Sequence, residues 1–494
     1  MKRLYILLAV VLLGLNLQAQ ESFDLLKYSN MEPYGTARAM GMANAFGALG
    51  GDVSSLNINP AGLGIYRSGE LTYTHALSTV GVSSDFRETG GSLSDRKTRT
   101  VPANFGFVTA YRTEDEESFA NFNFAVTYNR LKNFSRHTAV RGFNRPVSLL
   151  DNLVQGSGLE DFMYQAFMLD DNYNPILAAE EVVDNEQYMV ESGRSDVWDF
   201  GFGFNYGYFL YFGVAVGIQS INYQLDTYYQ ELFELGGDFR LTNELQTTGN
   251  AVNAKFGVIL RPTAPLRLGL AVHTPTYYSL VDVSRTTLSA SGIVYDGVTH
   301  NTVQKTGNGF FSSYAYHLKT PTRLVYSAAW QLGRKGFISA DLDHIFYSAM
   351  QEKDAYGYLY SDVSADVKSN FRDVLNLHLG MEWRFSDVVS GRCGFARYMS
   401  PVREEVETDD NHYVTTPTYT PQYSVDRGAS VLTGGLGLHF DGWYLDFAAT
   451  YSMRDEHFHP FYNARTDTYG NRFTNYAKLD VNTLNIAATL GFRF

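Results

Sequence analysis

From about residue 70 to the final Phe494, apolar side chains recur at every second position, run after run, and this period constrains the chain more than any other feature. In the last run Leu484, Ile486, Ala488, Leu490, Phe492 and Phe494 share one face, while Thr483, Asn485, Ala487, Thr489, Gly491 and Arg493 share the other. Leu375, Leu377, Leu379, Met381, Trp383 and Phe385 alternate in the same way with Asn376, His378, Gly380, Glu382 and Arg384. Trp198, Phe200, Phe202, Phe204 and Tyr206 do so with Asp199, Gly201, Gly203 and Asn205. Successive side chains of a strand point to opposite faces, so each run reads as a strand with one apolar face and one polar or small face.

About fourteen such runs are legible, centred near residues 74, 106, 124, 201, 217, 254, 273, 322, 341, 377, 395, 434, 448 and 484. Their connectors alternate in length. Long ones cover roughly 82–99, 132–193, 226–244, 282–309, 349–366, 402–427 and 455–474; short ones cover 114–117, the surroundings of Gly207, 262–265, 333–336, 386–389 and 441–442. Short turns on one side and long loops on the other mark a membrane-spanning barrel, and an even strand number returns the chain to its starting side. A soluble sandwich has no reason to sort its loops this way. The 35 Tyr and 34 Phe agree with a barrel, which needs aromatic girdles, and they exclude a disordered chain. The expected fold is all-β: a transmembrane antiparallel β-barrel of about 14 strands over residues 69–494, in the bacterial outer membrane, with both termini in the periplasm.

Ahead of the first strand the chain changes character. Residues 1–20, with basic Lys2 and Arg3, an apolar run over 4–17 and a cleavage zone near Ala19, read as a secretory signal peptide. The run is too short for a comfortable membrane span. Residues 35–64 are rich in Gly and Ala and too few to bury a core of their own. Placed directly before the first strand, they are expected to fold back into the lumen as a hatch, so that 21–68 forms an N-terminal periplasmic segment plus hatch. Within it, Asp52 is suited to cap a helical turn over 53–57, and Pro60 forces Asn59 into an extended conformation and a bend.

Within the longest connector, about 147–170, two short helices are expected outside the membrane. Ser148 with Asp151 opens the first; Ser157 with Glu160 opens the second in capping-box register, and Leu159, Phe162, Met163, Ala166 and Phe167 share its apolar face. That face either packs on the barrel rim or forms a groove for apolar ligands, with Leu159, Phe162, Met163 and Phe167 as its candidate lining.

Other chemistry is excluded or weak. A net charge of −13 without any Lys/Arg run speaks against nucleic-acid binding, and the lone Cys393 rules out an internal disulfide framework. Gly201-Phe202-Gly203 and Gly435-Leu436-Gly437 are strand glycines rather than dinucleotide loops. Asp341 and Asp343 share a strand face as lumenal polar groups, and His457 with His459 lacks the partners of a zinc site. No catalytic constellation, metal site or cofactor is read from the sequence.

The tripeptide Asn59-Pro60-Ala61, preceded by Gly35-Thr36-Ala37-Arg38-Ala39 and Asp52, resembles the plug motif of FadL-type long-chain fatty-acid transporters of the outer membrane. The strand count, the helical loop after the third strand and the terminal Phe494 agree with that family. The resemblance implies a monomer whose hatch carries Arg38, Asp52, Asn59, Pro60 and Ala61. It also implies an external low-affinity site, an apolar lumenal pocket and a lateral exit beside a kinked third strand. Here the third strand, residues 119–131, contains no Gly or Pro to mark a kink, so the exit has no position in the sequence. The expected function is passive transport of long-chain fatty acids or similar hydrophobic molecules, with no energy-coupling motif evident. Haem or aromatic-hydrocarbon uptake is the alternative within transport, a non-transporting surface-binding or structural protein is the alternative outside it, and a barrel enzyme is a third.

Overall fold

The computed structural model describes residues 22–32, 34–86, 91–113, 118–153, 159–176, 182–234, 236–305, 311–408, 421–462 and 475–494. The signal-peptide reading of 1–20, the short turn at 114–117 and Ser157 fall outside them. Among the described residues the strands are β1 (Glu70–Asp85), β2 (Leu93–Arg112), β3 (Phe119–Asn133), β4 (Arg136–Arg145), β5 (Val183–Tyr206), β6 (Leu210–Phe233), β7 (Asp238–Leu260), β8 (Leu266–His273), β9 (Tyr277–Tyr295), β10 (Val298–Lys305), β11 (Phe311–Lys319), β12 (Arg323–Gln331), β13 (Gly336–Ile345), β14 (Gln351–Asp354), β15 (Val374–Arg384), β16 (Val389–Tyr398), β17 (Tyr423–His439), β18 (Trp443–His459) and β19 (Ala477–Arg493).

These strands make fourteen antiparallel crossings, because β3 continues into β4, β8 into β9, β10 and β11 into β12, and β13 into β14. The ring closes where β1 pairs with β19 from Glu70↔Arg493 to Asp85↔Lys478. Closure pairs the first strand with the last, so neither leaves a row of backbone groups unpaired in lipid. Phe494 and Gly69 exchange backbone hydrogen bonds (2.9 and 3.1 Å) at the end where the short turns gather. The alternation falls as the sequence predicts: Trp198, Phe200, Ile486 and Leu490 face outward, whereas Asp199, Gly201, Ala487 and Thr489 face the interior.

Two crossings are interrupted by the same tripeptide, Thr274-Pro275-Thr276 between β8 and β9 and Thr320-Pro321-Thr322 between β11 and β12. Proline cannot donate to a ladder. Threonine side chains supply substitute bonds: Thr320 Oγ1 accepts from Thr276 N and Thr274 Oγ1 from Ala254 N, both at 2.9 Å.

Residues 34–66 lie inside the ring as three short turns: α2 (Ala37–Met40), α3 (Ser55–Ile58) and a 3₁₀ helix, Pro60–Ile65. Before them runs α1 (Ser22–Ser29), and its position corrects an expectation. Rather than hanging below the barrel, α1 sits within the lumen at the long-loop end. Phe23 packs on Phe371 and Tyr423 with ring centroids 5.4 and 5.1 Å apart. Asn370 Nδ2 donates to Ser22 Oγ (2.8 Å), and Tyr28 to Thr247 Oγ1 (2.8 Å). The physical reason is apolar surface: Phe23, Leu25, Leu26 and Tyr28 are buried there and would face water outside the barrel. The C-terminus is at the short-turn end, while the first described residues are near the other.

Candidate functional site: the inner segment, the wall around it and the cavity above

The inner segment is tied first to itself. Thr36 caps α2 by accepting from Ala39 N (3.1 Å) and donates its hydroxyl to Asp52 (2.8–2.9 Å), whose Oδ1 also accepts from Ser54 N (2.9 Å). Asn59 is extended (φ −144°, ψ 104°), as a residue before proline prefers, and Pro60 opens the 3₁₀ turn. Asn59 Oδ1 accepts from Ala61 N (3.1 Å), and its Nδ2 donates to Gly47 O (2.7 Å), so one side chain pins two stretches of the segment together.

It is tied next to the wall on all sides. Short turns leave many carbonyls without internal partners, and wall side chains meet them. Asn121 donates to Gly64 O (3.0 Å), Thr433 to Gly41 O (2.9 Å) and Arg267 to Leu49 O (2.5 Å), while His273 Nε2 and His378 Nδ1 lie 2.9 Å from Ile58 O and Ala43 O. Asp341 Oδ2 accepts from Gly47 N (2.8 Å), and Asp343 pairs with Arg323 and His378. Those two carboxylates hold the segment and its surroundings in place.

Charged groups add a second tier. Arg38 makes a bidentate pair with Glu382 (2.9 and 3.1 Å), Glu382 also accepts from Arg392 (2.7 Å), and Arg392 reaches Asp446 (2.7 Å). Lys255, fully buried, bridges Asp199 (2.6 Å) and Asn57 Oδ1 (2.7 Å). Each charge is compensated, which a low-dielectric interior requires.

Inward wall glycines make the close approach possible. A Cβ at Gly213 would stand 2.3 Å from Pro60 O, one at Gly257 1.9 Å from Asn59 Oδ1, one at Gly203 2.4 Å from Leu63 Cβ, and one at Gly394 2.6 Å from Met42 C. Sequence reasoning took Gly203 as an ordinary strand glycine. Its small size serves packing against the inner segment.

Above the segment the wall has a window. The β2–β3 ladder stops at Asn104↔Asn129, whereas β1–β2 pairing continues to Ser84↔Leu93, so residues 93–103 have a ladder on one side only. In β3 the register against β5 slips between Arg130 and Lys132, leaving Leu131 as the extra residue of a bulge. Pro102 sits in β2 at this unpaired stretch, beside a register shift against β1. A proline inside a strand is the signal the sequence held, since proline is confined to edges and bulges. The Asn104–Asn129 side-chain bond (2.7 Å) closes the window below, and Ser84 Oγ to Ala139 O (2.6 Å), reaching β4, bounds it above.

The N-terminal chain crosses this window from inside. Glu32 N donates to Leu131 O and Tyr34 N to Arg130 O, both 3.0 Å, and Tyr34 OH reaches Ser78 (3.3 Å) and Asn485 (3.2 Å). Beside it lies a cavity of about 220 Å³ bounded by Phe23, Leu26, Tyr34, Val80, Phe134 and Met189, among others. Charged residues share its lining: Arg136 pairs with Glu456 (2.8 Å), and Arg454 with Asp426 and Glu32.

At the long-loop end, Ser148 caps a 3₁₀ turn (Leu149–Asn152) in a capping box with Asp151. In α4 (Leu159–Gln165), Leu159, Phe162 and Met163 are buried against Tyr229, Phe239, Leu241 and Leu288 of the extended strands. Phe167 alone of the four candidate groove residues reaches the surface, stacked on His300 at 3.8 Å. On the far side of the mouth, beyond α5 (Ser361–Asn370), Glu407 of α6 (Glu405–Thr408) accepts from His457 (2.7 Å) and His459 (3.3 Å) and pairs with Arg427 (3.2 Å). Burial works against its ionisation, but the two histidines hold the Glu407 carboxyl down at about 2.

No protein-family profile matches the sequence, and no curated protein matches it. The architecture is shared with solved barrels. A FadL homologue from Pseudomonas aeruginosa is 13% identical over 94% of this chain and 99% of its own, with a TM-score of 0.54. The toluene transporter TodX of Pseudomonas putida is 12% identical over 94% of this chain and 99% of its own, with a TM-score of 0.51. At identities this low the structural likeness shows the common fold alone.

Proposed function

We propose that this chain is a passive outer-membrane channel for small hydrophobic molecules, in which residues 35–66 act as the hatch, the 220 Å³ cavity holds cargo and the β2–β3 window releases it sideways into the membrane. One observation carries the reading: a cavity stands directly above the seated segment, and beside it the β2–β3 ladder stops at Asn104↔Asn129, next to the bulge of β3 against β5 at Leu131. Lateral release spares an apolar molecule from crossing water, where each exposed CH₂ costs about 0.8 kcal/mol. Capture from outside falls to the loop around α4, with Phe167 at the surface and Leu159, Phe162 and Met163 behind it as a pliable apolar reserve.

Long-chain fatty acids remain the first cargo to try. A second reading, monoaromatic hydrocarbons, is favoured by the cavity volume, since an apolar cavity of about 150 Å³ already admits benzene. The test is initial uptake of labelled oleate and labelled toluene by cells carrying the protein, its Leu131 deletion, or neither. Deleting the extra residue removes the bulge of β3 against β5 and so shifts the β3 edge that borders the window. The reading expects uptake above the empty cells for at least one cargo and a fall to their level in a deletion variant that folds. Equal uptake by the deletion variant and the parent would sink the lateral route.

A further inference from the structure

We propose that the outer wall carries a binding site for one glycerophospholipid with an anionic headgroup, in the leaflet at the short-turn end. Its apolar part is a groove of about 520 Å³ on the lipid-facing surface of β12, β13, β15 and β16. Trp330, Ile338, Met381 and Phe395 rise around a floor at Ala328 and Ala340. The register places the groove low in the wall: Trp330 pairs across to Ile338 and Leu266, and Ile338 to Met381, one outward position above Gly336↔Trp383.

Directly beneath stand three exposed cations. Arg334 and Lys335 occupy the β12–β13 turn, and Arg384 ends β15 with its backbone N 2.6 Å from Lys335 O. Lys335 Nζ lies 5.8 Å from the Trp383 ring centroid, which places an ammonium at the lipid-facing surface. Among the described residues no ion pair joins these three to a carboxylate, and the two adjoining turns hold a single acid, Asp387. In a chain of net charge −13, a local excess of positive charge next to an apolar groove is complementary to a phosphate carrying an acyl chain. Trp330 and Phe385, 49% and 68% exposed, flank the site as amphipathic or apolar anchors at headgroup depth.

The occupant is a lipid and not a soluble anion, because the groove offers hydrocarbon contact that free phosphate cannot use. Nor is it general annular lipid: a shaped groove and a three-charge cluster predict a preference between headgroups.

The experiment is native mass spectrometry of the full-length folded protein released from detergent micelles containing equal amounts of a phosphatidylglycerol and a phosphatidylcholine with matched acyl chains. The parent should retain one phosphatidylglycerol in preference, by about fivefold or more, since each interfacial cation contributes about that factor. The Arg334→Gln/Lys335→Gln/Arg384→Gln variant should lose the preference. Ala340→Phe, which fills the groove, should lower retention of both lipids. Heat-shifted gel mobility checks that each variant is a folded barrel. A folded parent that retains neither lipid, or equal amounts of the two, overturns the site, as does a triple variant that keeps the preference.

Discussion

Replacing Gly213 by alanine tests the fit between wall and inner segment at its tightest backbone contact. The new Cβ would meet Pro60 O at 2.3 Å, Pro60 C at 2.4 Å and Ala61 N at 2.7 Å, all main-chain atoms of the 3₁₀ turn. Ordinary carbon contacts begin near 3.5 Å, so the turn must retreat by about 1 Å. Overpacking of that kind costs about 1–3 kcal/mol. The strain exists only while the segment is seated, so the seated-to-unseated ratio should fall about 5- to 150-fold. Planar-bilayer recording reads this as more frequent or longer openings in Gly213→Ala than in the parent. Gly434→Ala is the control, because the nearest atom to its Cβ is Arg392 O at 3.9 Å, and it should stay as silent as the parent. Gly257→Ala should repeat the effect by displacing Asn59, which would lose its bonds to Gly47 and Val258. Parent-like conductance in both Gly213→Ala and Gly257→Ala would refute the argument that wall glycines set the seat.

Lys255→Met should destabilise the seat by about 3–5 kcal/mol, because Asp199 is left buried without a cation. Adding Asp199→Asn should restore most of the loss, measured by thermal gel shift and conductance. Arg38→Gln should cost less, about 2 kcal/mol, since Glu382 keeps Arg392. At the mouth, the Glu407 clasp stabilises the fold fully above the ordinary carboxylate value of about 4.5. Because its folded value is depressed to about 2, that stability is lost as pH falls from the one to the other. Limited proteolysis should find residues 400–408 protected between pH 5 and 8 and released below about pH 3, and Glu407→Gln should release them at neutral pH.

Fourteen crossings and their faces were legible because a strand's alternation is a property of the chain itself; Trp198 and Asp199 fall on opposite sides of the wall as adjacent residues must. The breaks were harder to read. Thr274-Pro275-Thr276 and Thr320-Pro321-Thr322 interrupt ladders, yet threonine side chains mend them, so each crossing still reads as one strand. The window had a marker in Pro102, whereas the bulge at Leu131 has none: an extra residue in a pairing depends on the partner strand and leaves no trace in composition. The placement of α1 was equally silent, since Phe23, Leu25 and Leu26 require burial but do not say where. For the wall glycines the sequence shows small size alone; the atoms they make room for lie about 140 to 350 residues away in the chain.

On the proposed route a hydrophobic molecule occupies the cavity above the inner segment and leaves through the β2–β3 window. Photo-crosslinking in intact membranes with a diazirine-bearing oleate and a diazirine-bearing toluene analogue, followed by peptide mapping, measures this directly. Adducts that unlabelled cargo competes away should appear on Val80 and Phe134 of the cavity and on Leu131 at the window. Adducts confined to outward side chains such as Leu268 and Leu436, and unaffected by unlabelled cargo, would contradict it.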